Sequence, residues 1–194
     1  MTPRSISLLG LALAFAAAPL ALPAQWGLKA GASFANISNS GALPGNPGTR
    51  TGLAGGVSLR LGSGMFSLGL EGLYDQQGLD ATGGGLQLDL IDVPAYLNWR
   101  IINAGIGLSA YAGPQVSFQL SCKNNGVDCP SGTVATTTYA GIIGARVKFG
   151  SSQGFGITGE ARYIYGLTNL NKDTITNPGS YETRSLLVMA GIEF

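Results

Sequence analysis

Histidine is absent from this chain, and that absence decides most of the chemistry open to it. Without an imidazole there is no Ser–His or Cys–His nucleophile pair and no ligand for most transition-metal sites. What remains is a set of charged side chains: Lys29, Arg60, Glu71, Asp89, Asp92, Arg146, Lys148, Glu160, Arg162 and Glu193. Their mixed signs allow pairing. A carboxylate-only enzyme is the residual enzymatic reading, and the chain is read as no enzyme, with no catalytic, cofactor or metal residues assigned. Cys122 and Cys129 bracket the hexapeptide KNNGVD. They are read as a disulfide pinning a loop in preference to free thiols, since two thiols without another ligand type do not make a zinc site. The string GFGITG at 154–159 matches the dinucleotide-binding glycine pattern, but that motif needs a strand before it and a helix after it. Here it falls inside an alternating segment, a coincidence of glycine abundance.

The elements that must carry these residues are legible from composition and period. The chain has 194 residues, 11 % charged, with a net charge of +1 and 31 glycines. Mean hydropathy is +0.24. Few and balanced charges exclude a nucleic-acid binder, and the hydropathy excludes disorder. Glycine at this level disfavours helices and suits strands that bend or pack closely in a narrow barrel. Arg4, the apolar run over residues 6–22 and the small residue Ala24 read as an export signal. A retained anchor is the weaker alternative, because the run is shorter than the roughly 20 residues a spanning helix needs. Two segments follow: a signal peptide over 1–24 and one domain over 25–194.

Beyond residue 24, apolar residues recur at every second position, the signature of strands with one apolar face. Trp26, Leu28, Ala30, Ala32 and Phe34 share one face, with Lys29, Gly31 and Ser33 on the other. The same alternation recurs through segments beginning near residues 52, 65, 86, 106, 139, 155 and 185, which makes eight strands. In the fourth, the apolar phase changes near Ile91, which predicts a bulge there, with Pro94 beside it. Short connections at 62–64, 101–103 and 150–153 alternate with long polar ones at 39–49, 75–85, 121–133 and 168–182.

An antiparallel up-and-down transmembrane β-barrel of eight strands satisfies all of this, with short turns and both termini on the periplasmic side. The rival is a soluble barrel with an apolar cavity. It is disfavoured because the second face, rich in Gly and Ser, is too small and too sparsely charged to meet water. Aromatics at strand ends (Trp26, Phe34, Trp99, Phe149, Tyr165, Phe194) suit interfacial girdles. The charged residues then point into the lumen. Eight strands leave room for little more than side chains, so a salt-bridged filling is favoured over a selectivity lining. The terminal Phe194, on an alternating strand, resembles the signature that bacterial assembly machinery reads in outer-membrane proteins.

With these segments in hand, GLKAGASFANIS, LEGLYDQQG, IDVPAYLNWRI, AGPQVSFQL, EARYIYGLTNL and RSLLVMAGIEF resemble, in the same order, the outer-membrane β-barrel domain of Bacteroidota-type bacteria, the PorT-like or "porin family" group. The resemblance spans essentially the whole chain after the signal. It implies an eight-stranded barrel in the bacterial outer membrane and no single activity. The expected role is structural, binding or envelope assembly, carried by the long loops. The alternative is a narrow pore for water, ions or small solutes, while a lipid-modifying enzyme is disfavoured by the missing histidines. Expected partners are outer-membrane lipid and the assembly machinery. No nucleic acid or cofactor is expected, and the barrel is read as a monomer.

Overall fold

Alternation of apolar and small or polar residues gives each segment one face that packs and one that does not, and the strands follow it. The computed structural model describes residues 23–37, 48–81, 84–129, 135–151, 154–168 and 182–194; of the expected export signal over 1–24, residues 1–22 lie outside them, and Ala24 is the first residue of β1. Strands β1 (Ala24–Ile37), β2 (Gly48–Leu61), β3 (Phe66–Ala81), β4 (Gly84–Ala104), β5 (Ile106–Asn124), β7 (Thr137–Gly150), β8 (Gly156–Gly166) and β9 (Thr183–Glu193) form the wall. A two-residue strand, β6 (Val127–Asp128), hangs on the end of β5. Each wall strand pairs antiparallel with its chain neighbour, and β1 pairs with β9, so eight strands close into one up-and-down barrel. The seam runs from Ile37↔Thr183 to Gly27↔Glu193. It ends with Trp26 and Phe194 exchanging both backbone hydrogen bonds. Closure removes the unpaired edges that an open sheet would present.

The two faces divide as alternation requires. On β8 the residues Thr158, Glu160, Arg162 and Ile164 are buried, while Ile157, Ala161, Tyr163 and Tyr165 point out. The outward set is apolar all round: Leu53 is 68 % exposed and Ile143 62 %. A band of this extent would be costly in water, at roughly 25 cal/mol per Å². A soluble barrel would place its charges outside and its apolar residues within, and this one inverts that arrangement. Trp26 and Phe34 bound the band on β1. Eight residue-to-residue steps separate them, roughly 26 Å at ~3.3 Å per step. At the end of the short turns, the Phe66 and Trp99 rings stack at 6.5 Å.

Several expectations about local structure change. The short connection read at 101–103 lies inside β4, with the turn at Gly105, and residues 121–124 of the connection read at 121–133 belong to β5. Residues 75–85, read as a polar loop, belong mostly to a long hairpin: β3 continues to Ala81 and β4 begins at Gly84. The predicted bulge at Ile91 is displaced. β3 and β4 pair through Tyr74↔Ile91 without a shift, and the irregularity lies in the β4–β5 ladder between Asp89 and Leu90. There β5 carries the extra residue, Leu120, between the partners Gln119 and Ser121. The GFGITG string overlaps strand β8, with no helix after it.

Candidate functional site

Four strands send charged side chains into the middle of the lumen: Lys29 from β1, Glu71 from β3, Arg146 from β7, and Glu160 and Arg162 from β8. Each sits on the inward phase of its strand, which is why alternation found them. Two carboxylates organise the group. Glu71 accepts from Lys29 Nζ (2.7 Å), Arg146 Nη2 (3.2 Å) and Arg162 Nη2 (2.5 Å). Glu160 accepts from Lys29 Nζ (2.8 Å), Arg146 Nη2 (2.7 Å) and Arg162 Nη2 (2.7 Å). Three cations thus share two carboxylates, and every carboxylate oxygen is used. Such shared, charge-assisted bonds are what makes the burial of isolated charges tolerable.

Two tyrosines complete the network. Tyr96 donates to Glu71 Oε1 (2.5 Å) and accepts from Arg146 (2.8 Å). Tyr111 donates to Glu160 Oε1 (2.5 Å) and accepts from Arg162 Nε (3.0 Å). Their rings lie 4.6 Å apart, with both guanidinium groups within 6 Å of each ring. Glycine makes the room: a Cβ on Gly69 would fall 2.2 Å from the Tyr96 ring, and one on Gly144 2.4 Å from the Tyr111 ring. These glycines are the direct cross-strand partners of the two tyrosines. Period 2 alone puts both tyrosines on the inward phase of their strands and assigns them no role. The signal available was a lone large residue opposite a glycine.

A second layer lies toward the short turns. Glu193 is paired with Arg60, lies 3.3 Å from Lys148 Nζ and 3.4 Å from Arg146 Nη1, and so links the two layers. Of the expected lumen charges, Lys29, Arg60, Glu71, Asp92, Arg146, Lys148, Glu160, Arg162 and Glu193 all face inward. Asp89 does not. It sits between the buried Leu88 and Leu90, on the opposite phase, where Ser121 Oγ (2.6 Å) and Gln87 Nε2 (3.2 Å) donate to it. Near the long connections the outward face is polar, so a charge there needs no lumen.

On the loop side of the cluster lie Asp75, Gln77, Asp92 and Gln115, each no more than 2 % exposed. Gln77 donates to Asp75 (2.8 Å), but neither oxygen of Asp92 accepts a hydrogen bond of good geometry among the described residues, although the Ser117 and Gln115 side chains lie alongside it. Asp75 and Asp92 make none of the ion pairs found there. An unpartnered buried carboxylate is costly. Asp92→Asn is therefore expected to stabilise the barrel, by roughly 1–3 kcal/mol, in urea unfolding from lipid vesicles; an equal loss of stability would show that the charge has a partner.

Farther along, Cys122 and Cys129 are disulfide-bonded, their Cα atoms 5.4 Å apart, with Leu88 and Leu90 packed beside Cys122. Cys129 N–H also donates to the Cys122 carbonyl (3.0 Å). Phe194 presents its ring on the outer face at the turn end. No group of three or more Cys, Asp or Glu side chains forms a metal-ligating arrangement among the described residues.

A closed barrel with an apolar outer wall can be set beside known proteins. The family profile described as "Outer membrane protein beta-barrel domain" matches residues 6–194. No curated protein matches the sequence. Among solved structures, neisserial surface protein A (NspA) is 14 % identical, with a TM-score of 0.56, covering 87 % of this chain and 95 % of its own. The outer membrane protein OprG from Pseudomonas aeruginosa is 8 % identical (TM-score 0.49; 89 % and 97 % covered). Ail, the attachment invasion locus protein of Yersinia pestis, is 14 % identical (TM-score 0.45; 89 % and 100 % covered). At these identities the likeness concerns the fold.

Proposed function

We propose, for a chain that belongs to the outer membrane protein β-barrel domain family and resides in the bacterial outer membrane, a non-conducting barrel that anchors a loop-side projection. One observation carries this reading. Lys29, Glu71, Arg146, Glu160 and Arg162 come from strands on different sides of the wall and bond to one another across the lumen, with Tyr96 and Tyr111 between them. An ion or solute would have to break several charge-assisted bonds at once to pass. In this reading the working surface is the projection. β3, β4 and β5 run on past the aromatic belt at Tyr74 and Phe118, and the Cys122–Cys129 disulfide stiffens their tip. With short turns and both termini facing the periplasm, that tip faces the exterior.

The finer identity stays with the sequence. The PorT-like motifs support a Bacteroidota-type relative with a structural, binding or envelope-assembly role and no enzymatic one. The β1–β9 seam, which closes the wall, supports a monomer inserted in outer-membrane lipid. The outward terminal ring of Phe194 suits recognition by the assembly machinery. A planar bilayer tests closure: the purified barrel is expected to leave it electrically silent at ordinary voltages. Stable single-channel steps would replace this reading with the narrow pore.

A further inference from the structure

The turn-end mouth of the barrel holds a small cavity of about 40 Å³, whose lining includes Arg60, Arg100 and Lys148 with Ser109, Gly105 and Gly150. No lining residue is acidic. Arg60 and Lys148 are 5 % and 6 % exposed, so their charges are held in the wall rather than trailing in solvent. Both draw on a single carboxylate, Glu193, which Arg146 also approaches. Arg100 forms no ion pair among the described residues; its guanidinium donates to the Ser63 carbonyl (3.1 Å). Arg60 Nε is buried without a partner. Three cations thus meet at one cavity with one shared carboxylate behind them, and donors remain unused. The two glycines keep the cavity open. Gly105 and Gly150 close tight turns at φ of 76° and 122°, a region L side chains rarely adopt, and so bring no side chain to the rim.

We propose that this cavity is an anion site that takes one phosphate group, held by Arg60, Arg100 and Lys148. The chemistry fits on three counts. Guanidinium groups bind phosphate oxygens through paired N–H donors, and a lysine adds a point charge. The volume suits one small oxyanion or a few waters, at ~10–15 Å³ each, and excludes a sugar or a nucleotide base. The cavity also lies at the level of Trp26, Trp99, Phe149 and Phe194, the aromatic residues of the turn-end belt, where lipid headgroups meet water. The phosphate therefore comes either from a headgroup of the periplasmic leaflet or free from the periplasm. The site stands whether or not the lumen conducts.

The test uses the whole mature chain refolded in maltoside micelles, which contain no phosphate, titrated with inorganic phosphate by calorimetry. One saturable site is expected, with affinity falling about tenfold, the value of one charge-assisted hydrogen bond, in Arg100→Gln and again in Lys148→Gln. Arg100→Gln touches no buried ion pair, so that variant keeps its compact, heat-modifiable gel band and reports binding alone. Doping the micelles with phosphatidylglycerol separates the sources. Displacement of phosphate assigns the site to the headgroup, and undisturbed binding assigns it to the free anion. Absence of saturable binding to a folded barrel, or unchanged affinity in either variant, overturns the proposal.

Discussion

Replacing Glu160 by Gln is expected to remove about 3–5 kcal/mol of unfolding free energy, the usual cost of breaking a buried ion network from one side. Glu160 accepts from Lys29, Arg146, Arg162 and Tyr111. A glutamine keeps one acceptor oxygen and turns an amide N–H₂ toward donors that already point at it. Three cations then share the single carboxylate of Glu71, apart from the 3.4 Å contact of Arg146 with Glu193. Water cannot easily compensate, because the lumen at this level is filled by Tyr96 and Tyr111. Trp26 and Trp99 sit on the outer face, so their fluorescence reports the barrel leaving lipid during urea unfolding. A companion variant separates charge from shape: Lys29→Met added to Glu160→Gln removes one stranded cation and should recover part of the loss. A loss below about 1 kcal/mol for Glu160→Gln alone, the range of an exposed pair, would mean that water or movement satisfies the cluster. A double variant no better than the single would mean that the lost bonds, rather than the stranded charge, set the cost.

The reason so much of this cluster can be read from sequence is that lipid enforces period 2 more strictly than water does. Within the band, every outward position must be apolar, so Lys29, Arg146, Glu160 and Arg162 have one side available. The same rule explains Asp89. Along β4 the backbone alternates without interruption from Leu88 to Trp99, yet the apolar set is inward at Leu88 and Leu90 and outward at Leu97 and Trp99. What looks like a slip of register near Ile91 is the edge of the lipid. Beyond it the outward face meets water, and the apolar residues turn in to pack around Cys122. Asp75 and Gln77 escaped for a related reason: polar residues on an inward phase outside the regular apolar pattern read as loop. Partner choice within the cluster, such as Lys29 lying between Glu71 and Glu160, depends on distances across the lumen, and no local pattern records those.

Gly31→Ala is expected to do comparable damage by a different route, through failure to close the seam. Gly31 lies on the inward face of β1 opposite Met189 of β9, in the pairing that joins the first strand to the last. A Cβ there would fall 2.0 Å from the Val188 carbonyl oxygen and 2.6 Å from the Met189 Cα. Those are backbone atoms of the neighbouring strand, with no flexible side-chain end to swing aside. The methyl can be housed only by separating β1 from β9, which strains the hydrogen bonds on either side of the seam. Overpacking of this kind costs about 3 kcal/mol or more when the backbone must move. Because β1 and β9 come from opposite ends of the chain, their pairing carries the largest loop-closure cost of any in the barrel. The loss should therefore appear in folding as well as in stability. Gly159→Ala is the control: a Cβ at Gly159 meets nothing within 4 Å, on the lipid side of β8, and the change should stay within about 0.5 kcal/mol. On unboiled gels the Gly159→Ala protein is expected to run as the compact folded band after refolding into micelles. The Gly31→Ala protein should run mostly at the unfolded position, with a lower urea midpoint for the fraction that folds. Equal folded yields and midpoints for the two variants would show that the seam has slack the close contact at Gly31 denies.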